Sequence, residues 1–407
     1  MTIGLISNNE LGSSVRGKLN ELINLSNTTS SSVVTVAALA DLPTPIGGII
    51  TLLADTTYYF LGDIDLVGSR LVTSGTTCIL GTSSETSSIT STGLVGAPVL
   101  TCQSTLPMRH ITFRDCETAV VLGDNVGGQA AADWYGVNFL NCGVGVELLD
   151  VANFVFATGA FLDGSQMLIK GALGSAVFTD SIFVSDGTAK ASVLVESTAN
   201  ISRRVRFTSS VFITFGSSNS INFSTSAITP AQGYILETCN FSGGGTYQLG
   251  VTSADNKALF RDSVGITNSS DISQYYMGGN VTVTPIAVSG TAVKVLGATT
   301  SSTITSKFTN TDNRATYTGA LDTFFKVAAT LSVQSGNNNQ IGVYVAKNGV
   351  VDVSSEVYGT TGGSGRAENI VVQTIVQLVQ GDFIEIFVEN STGTQDITVT
   401  DLNVIVE

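Results

Sequence analysis

Three acidic residues in the middle of the chain have a spacing that suggests hydrolytic chemistry. Asp124 follows one apolar run, and Glu147 and Asp150 follow the next run of the same kind. Glycoside hydrolysis uses two carboxyl groups roughly 5–10 Å apart, and strands stacked about 4.8 Å apart can provide that distance. The alternative, which we favour, is that these acids lie at solvated turns. If the protein is an enzyme, its candidate catalytic residues are Asp124, Glu147 and Asp150.

An aromatic pair offers a different kind of site. Trp134 and Tyr135 lie in the sequence Asp-Trp-Tyr-Gly, and an indole ring has a flat apolar face on which a sugar can stack. Trp134 and Tyr135 are therefore candidate ligand-binding residues. Since no second aromatic pair accompanies them, packing of Trp134 at a turn is the slightly favoured interpretation.

The residues that usually bind metals are sparse. His110 is the single histidine, so sites built on histidine clusters are close to excluded, and we expect neither a metal nor a cofactor. The odd number of cysteines and the absence of CxxC spacing favour small, reduced side chains inside the fold over zinc ligands or disulfides. The cysteines are Cys78, Cys102, Cys116, Cys142 and Cys239.

A short phrase recurs through the middle of the chain and indicates the fold that positions these residues. A large apolar residue is followed two positions later by a polar residue and three positions later by Cys or Ser. The copies begin at Phe113, Phe139, Phe178, Phe207, Leu236 and Phe260, with a degraded copy at Phe161. Repetition at about 20–50 residues indicates a stacked architecture, and the surrounding Val-, Ile- and Thr-rich runs indicate strands. We therefore predict an all-β protein with a right-handed parallel β-helix, in which each repeat forms one coil.

Composition limits the partners. Of 407 residues, 43% are hydrophobic and 12% are charged, and the net charge is −14. This charge argues against nucleic acid or an anionic membrane as a partner. No basic and apolar leader and no apolar run of about 20 residues is visible. We therefore expect a protein made in a cytoplasm, without membrane insertion.

Residues 1–32 are predicted to stand apart from the solenoid. Apolar residues at Val15, Leu19, Leu22 and Ile23 follow a serine pair with helical spacing. The residues after this helix, up to Ser32, have the composition of a flexible linker. Because an isolated short helix is marginally stable, we favour a docking or oligomerisation helix over a helix packed on its own chain.

The predicted β-helix spans 33–279, and its first coils carry a family resemblance. The stretch Ile50–Leu66 reads Ile-Thr-Leu-Leu-Ala-Asp-Thr-Thr-Tyr-Tyr-Phe-Leu-Gly-Asp-Ile-Asp-Leu. It resembles the opening coils of bacteriophage tail fibres and tailspikes with a pectate-lyase-like β-helix, and the N-terminal helix is loosely similar to their particle-docking segments. The resemblance implies a virion component whose helix binds phage tail or adaptor proteins and whose ligand is a host cell-surface glycan or protein.

The last part of the chain has a different pattern. Residues 280–303 are predicted to be an extended connector and 304–407 a jelly roll. Within the latter, apolar and polar residues alternate from Phe325 to Val333, as in a half-buried antiparallel strand. Asn348-Gly349 between apolar runs predicts a hairpin.

The order of hairpin, long strand, Gln380–Glu385 and closing strand resembles the tumour-necrosis-factor-like jelly rolls of trimeric phage fibres. That resemblance implies a trimerisation and receptor-binding domain. A solenoid with open ends and a jelly roll with long apolar strands both favour self-association. We expect an obligate homotrimer that buries well over ~2,000 Å².

Four functions fit these patterns. The favoured one is a structural virion component, a trimeric tail fibre or spike that attaches the phage to its host. The alternatives are a polysaccharide depolymerase of the same shape, a head fibre mounted on the capsid, and a bacterial surface adhesin, which the missing leader disfavours. A site assembled between the chains of a trimer would not be visible in one sequence.

Overall fold

The computed structural model describes residues 32–407 except 74, 124–129, 189, 224–232, 252–256 and 364–366. The predicted N-terminal helix lies outside the described residues, and so does Asp124. The chain divides into two compact units, and the change from the first to the second falls between Asn268 and Ser269. Apart from 3-10 structure at Leu39–Asp41, at Val353–Ser355 and at Gly363, every regular element of the described residues is a β-strand. The predicted all-β class is therefore confirmed.

The first unit is a β-solenoid built from short parallel strands. Its strands are β1 (Ser32–Val36), β2 (Ile49–Leu52), β3 (Thr56–Phe60), β4 (Asp63–Asp65), β5 (Arg70–Thr73), β6 (Thr77–Gly81), β7 (Ser88–Thr90), β8 (Pro98–Cys102), β9 (Thr105–Arg109), β10 (Thr112–Leu122), β11 (Ala130–Tyr135), β12 (Asn138–Ala157), β13 (Ala160–Leu162), β14 (Gln166–Thr179), β15 (Ile182–Val184), β16 (Ala191–Val195), β17 (Asn200–Thr208), β18 (Val211–Thr214), β19 (Asn219–Phe223), β20 (Tyr234–Glu237), β21 (Asn240–Gly243), β22 (Thr246–Leu249) and β23 (Ala258–Arg261).

These strands stack in three parallel ladders. The first ladder contains β1, β3, β6, β9, β11, β12, β14, β17, β20 and β23. The second contains β4, β7, β10, β12, β13, β15, β18 and β21. The third contains β2, β5, β8, β10, β12, β14, β16, β19 and β22. The predicted parallel solenoid is thus confirmed, and its right-handedness stays a prediction.

A stack of phenylalanines forms the spine of the solenoid core in the second ladder. Its members are Phe113, Phe139, Phe161, Phe183, Phe212 and Phe241, and all are buried. Successive ring centroids are 5.8, 4.8, 5.1, 4.8 and 4.7 Å apart, with interplanar angles of 26° or less. Each such pair contributes about 0.5–1.5 kcal/mol beyond the burial of its area. One coil cannot bury its ring alone, so each coil depends on its neighbours.

The recurring phrase marks the corners of the coil. In all seven copies the third residue has a φ of 49–54°, the left-handed region that Asn and Asp tolerate best among residues other than glycine. These residues are Asp115, Asn141, Asp163, Asp180, Ser209, Thr238 and Asp262. The polar residue of the phrase is therefore the one that adopts the left-handed conformation of the turn.

The copies do not all occupy the same corner, which corrects the prediction that each copy marks one equivalent coil. Copies that begin at Phe113, Phe139 and Phe161 follow the second ladder. From Phe178 onward the phrase follows the first ladder, where Phe178 pairs with Phe156 and Phe207. Both corners need a left-handed residue followed by a small one, so the same phrase fits either place.

The small last position of the phrase is filled by Cys116, Cys142 and Cys239 in three copies. Cys142 and Cys239 are buried, Cys116 is partly buried, and none of these three cysteines forms a disulfide. The Sγ atoms of Cys116 and Cys142 lie 3.1 Å apart on neighbouring coils. Hydrogen bonding to Cys142 and burial raise the pKa of the Cys116 thiol well above its ordinary value.

The second unit is a two-sheet antiparallel sandwich. Its strands are β24 (Ser273–Met277), β25 (Val283–Thr284), β26 (Val293–Lys294), β27 (Thr300–Ser301), β28 (Phe308–Asn310), β29 (Ala315–Tyr317), β30 (Thr323–Gln334), β31 (Gln340–Lys347), β32 (Val350–Val351), β33 (Val357–Thr360), β34 (Glu368–Leu378), β35 (Phe383–Asn390) and β36 (Ile397–Val406). One sheet has the order β27-β24-β36-β30-β34, with β25 on β36. The other has the order β28-β29-β35-β31-β32, with β26 on β35 and β33 on β31. Buried residues of both sheets form one core.

The boundaries of this unit differ from those predicted. Residues before 279 already belong to it, because β24 pairs antiparallel with the last strand, β36. Strands β25 and β26 lie within the predicted connector of 280–303 and pair with β36 and β35. These pairings join residues about a hundred positions apart, so no local pattern reveals them. The Asn348-Gly349 hairpin is confirmed, with φ of 54° and 78° between β31 and β32.

Candidate functional site

The two described acids of the predicted hydrolytic set both have structural partners. The Nζ atom of Lys170 lies 3.2 Å from Glu147 Oε1 and 3.9 Å from Glu196 Oε1. Asp150 has a φ of 50°, and its Oδ1 accepts a hydrogen bond of 2.6 Å from the backbone N–H of Ala172 on the next coil. Glu147 therefore belongs to an ion-pair cluster and Asp150 to a coil corner. Their catalytic role stays a hypothesis.

Trp134 is placed inside the solenoid, which corrects its assignment as a ligand-binding residue. Its side chain is fully buried. The ring lies edge-on to Phe154 at 5.0 Å, and the indole Nε1 donates a hydrogen bond of 2.7 Å to the Leu106 carbonyl. An indole without exposed surface cannot stack on a sugar. Tyr135 is 41% exposed and contacts the His110 ring edge-on, so it stays a candidate.

The solenoid instead presents an open groove that we call the arginine groove. It consists of two adjoining hollows of about 430 and 270 Å³ that share Arg203. The larger hollow has Asp150 and several neutral amide and hydroxyl groups in its wall, and the smaller one has further arginines. The groove residues are Asp150, Asn153, Ser175, Asn200, Ser202, Arg203, Arg204 and Arg206.

Two local insertions in the first ladder lie at the groove. Between the pairs Ala130–Val151 and Ala131–Asn153, β12 has the additional residue Ala152. Between the pairs Leu173–Ile201 and Ser175–Arg204, β17 has two residues where β14 has one. Such β-bulges bend the strand and redirect its side chains. The second bulge consists of Ser202 and Arg203, so the residue common to both hollows is itself part of an insertion.

Gly174 lies opposite this bulge and allows the coils to approach. A Cβ atom on Gly174 would lie 2.0 Å from the backbone oxygen of Ala152, a distance that real contacts do not reach. Any side chain here would push the coil of β14 away from that of β12. The glycine is therefore required by the stacking that forms the wall of the groove.

The arginines differ in how far they are neutralised. Arg206 Nη2 lies 2.5 Å from Glu237 Oε2, and Arg206 Nε donates to Thr208 Oγ1 at 3.0 Å. Arg203 and Arg204 are exposed, and neither takes part in an ion pair with another of the residues that the structure describes. The Ser175 hydroxyl donates to Asn153 Oδ1 at 2.8 Å and so orients that carboxamide. The groove thus offers two guanidinium groups that have no ion-pair partner among the described residues, beside a carboxamide that Ser175 orients.

These arginines were not among the residues selected from the sequence, although a signal for them exists. Arg203-Arg204-Val205-Arg206 places three of the chain's 18 basic residues within four positions. In a chain of net charge −14 such a cluster is unusual enough to mark a site. Within the described ranges, no group of three or more His, Cys, Asp or Glu side chains could hold a metal ion, and no helix could cross a membrane.

Comparison with known proteins gives distant likenesses to solved structures. No protein-family model and no curated protein matches the chain. The enzymatically active domain of tailspike protein 4 from bacteriophage CBA120 has 11% identity and a TM-score of 0.25, over 85% of this chain and 64% of that chain. Murine APRIL at pH 5.0 has 9% identity and a TM-score of 0.25, over 33% of this chain and 98% of that one. Eiger TNF from S. frugiperda has 9% identity and a TM-score of 0.24, over 34% of this chain and 93% of that one. At these scores we base the function on the residues of the groove.

Proposed function

We propose that this chain is the subunit of a trimeric bacteriophage tail fibre or spike that attaches the virion to the host surface. The observation that carries the proposal is the arginine groove, an open site on a solenoid where exposed arginines lie beside neutral amide and hydroxyl groups. Its shallow, polar wall suits the hydroxyl groups of a surface glycan better than an apolar ligand. The resemblance of Ile50–Leu66 to the opening coils of phage fibres supports a place on the virion.

The trimer is supported by the outer face of one sheet in the second unit. Phe324 and Ile375 are each 70% exposed and Val371 is 57% exposed. They project from the paired strands β30 and β34, whose alternate residues Phe325 and Val376 are buried. Exposed apolar side chains gathered on one face mark an interaction surface. We assign this face to contact with further copies of the chain.

The experiment that tests attachment uses envelope polysaccharide from candidate hosts. The purified full chain is incubated with each polysaccharide, and both retention on the protein and the chain length of the polymer are measured. Retention with unchanged length supports an attachment fibre. A failure to retain any envelope polysaccharide from hosts that the phage adsorbs to would overturn the proposal.

A depolymerase is the second candidate, and one observation favours it. Asp150 lines the larger hollow beside Arg203, so a carboxylate does lie where a glycan would bind. Shortened polymer chains in the same experiment would establish this function. Replacement of Asp150 by Asn, and of Glu147 by Gln, would then show whether either carboxylate is needed for cleavage.

Attachment to the particle is proposed to occur through residues 1–32 and a tail or adaptor protein. Mounting on the capsid as a head fibre is the alternative location. Antibody labelling of intact virions distinguishes them, since tail and capsid are resolved in micrographs. Labelling of neither part would contradict a virion component.

A further inference from the structure

We infer that the ligand of the arginine groove is an acidic polysaccharide whose anionic groups pair with Arg203 and Arg204. The inference rests on the proposed function, since it names the class of surface glycan that the groove takes. It is drawn from the contrast between the charge of the groove and that of the whole chain, and from the lining of the two hollows.

The groove differs in charge from the chain as a whole. The chain has 32 acidic and 18 basic residues, so at long range it repels a polyanion. At physiological ionic strength the screening length is about 8 Å, and local charges decide what binds. Arg203 and Arg204 are adjacent and exposed, while Arg206 is already paired with Glu237. Arg203 and Arg204 have no ion-pair partner among the residues that the structure describes, so their guanidinium groups can bind carboxylate, sulfate or phosphate oxygens in a bidentate manner.

The shape of the lining indicates a polymer. Asn153, Ser175 and Arg204 lie opposite one another on three successive coils. At the spacing of stacked strands they form a row about 10 Å long, which exceeds the size of a single anion. The row passes from neutral amide and hydroxyl groups to the cationic end. A ligand that follows it needs neutral hydrogen-bonding groups next to an acidic group.

The lining also argues against a peptide. Val151 and Leu173 are part of the larger hollow but are 2% and 1% exposed, so the hollow offers no apolar pocket for a hydrophobic anchor. Peptide and protein ligands depend on such anchors. Sugar hydroxyls instead pair with Asn, Ser and Asp side chains.

Asp150 sets where the acidic group can bind. Its carboxylate lines the larger hollow, where it repels an anion and can accept hydrogen bonds from hydroxyl groups. The acidic group of the ligand is therefore placed at the Arg203–Arg204 end and a neutral part of the sugar near Asp150. A polymer with an acid on every sugar meets repulsion at Asp150 that a mixed polymer avoids.

The test measures retention of three polymers on the full chain at low and physiological salt: uncharged dextran, polygalacturonate and dextran sulfate. Both acidic polymers are expected to bind at least about ten-fold more tightly than dextran, with the difference shrinking as salt increases. A stronger response to one of them tells whether carboxylate or sulfate ester is preferred. The variant R203Q/R204Q is expected to lose about ten-fold or more of the affinity for the acidic polymers, since charge-assisted hydrogen bonds are lost.

The matched control is R70Q/K190Q, which removes the same charge from two side chains of the solenoid that do not line the groove and should change the affinity less than about two-fold. The variant D150N should bind polygalacturonate more tightly than the native chain. Circular dichroism confirms that each variant is folded.

Several results would overturn the inference. Equal retention of dextran and of the acidic polymers would exclude an acidic ligand, and an equal loss in R203Q/R204Q and in the control would exclude the groove. Retention of host envelope polysaccharide together with either result would leave attachment standing and remove only the acidic ligand. Retention of the acidic polymers without retention of any envelope polysaccharide would support an acidic ligand and overturn attachment to the host.

Discussion

Replacement of Phe183 by Ala tests whether the phenylalanine stack holds the solenoid together. Phe183 is fully buried, with ring centroids 5.1 Å from Phe161 and 4.8 Å from Phe212. Removal of a buried Phe side chain in a packed core costs about 3–5 kcal/mol. The two stacked contacts, at about 0.5–1.5 kcal/mol each, place this site in the upper half of that range. We expect a loss of about 4–5 kcal/mol in the free energy of unfolding of the first unit.

The assay is urea unfolding of the full chain at one protein concentration, followed by circular dichroism. The matched control is Ile182→Ala on the same strand, because Ile182 is 43% exposed and its truncation should cost less than about 1 kcal/mol. Phe183→Leu retains apolar volume without a ring and should fall between the two variants. A loss for Phe183→Ala below about 1 kcal/mol, or equal to that of Ile182→Ala, would refute stacking between coils as the source of stability.

Gly174→Ala should destabilise the solenoid by about 1–3 kcal/mol because its Cβ would overlap Ala152, whereas Gly244→Ala, where a Cβ meets nothing within 4 Å, should have little effect in the same urea assay. F324K/I375K should sediment at monomer mass if the native chain is a trimer through this face, and Val264→Lys, at an exposed apolar site of the first unit, should leave the trimer intact. Burial opposes ionisation of Asp382, but hydrogen bonds from Asn348, Lys347 and the Val379 backbone lower its pKa to about 2. Because this folded-state pKa is below the ordinary value, the stabilisation is present above about pH 4 and lost as the pH falls toward 2. Asp382→Asn should therefore lose less stability than the native chain as the pH falls over that range. Unfolding curves in which both proteins lose the same free energy of unfolding between about pH 4 and about pH 2 would contradict this.

Much of the solenoid follows from local sequence. The phrase that begins at Phe139 predicts a strand and a small side chain inside the fold at Cys142, and both are properties of one short segment. The left-handed φ of Asn141 also suits the residue type at that position. The hairpin at Asn348-Gly349 follows in the same way. The interior position of Trp134 also has a local signal, because Ala132 and Trp134 alternate with exposed Asp133 and Tyr135 along β11. The strand period therefore places the indole inside.

Other features depend on which coil lies next to which. The bulge at Ser202 and Arg203 is defined only against Gly174 of the preceding coil, and no pattern within β17 alone reveals it. The same holds for β24, which pairs with a strand at the far end of the chain. Pairing over such distances is decided by packing of whole elements. The sequence of the arginines could therefore suggest a cationic site, but it could not show which coils form the groove.

The bulge in β17 changes the groove while the register of the core strands is kept. The additional residue in β17 opens the surface between Ile201 and Arg204, yet the ladder is regular again at Arg204. Three positions later Phe207 stacks on Phe178 at 4.4 Å and 10°, among the tightest contacts of the core. An insertion on the outer face thus changes the surface without displacing the aromatic stack that stabilises the coil. This separation explains how a solenoid can place a cationic site on one face while its interior remains a continuous ladder of apolar side chains.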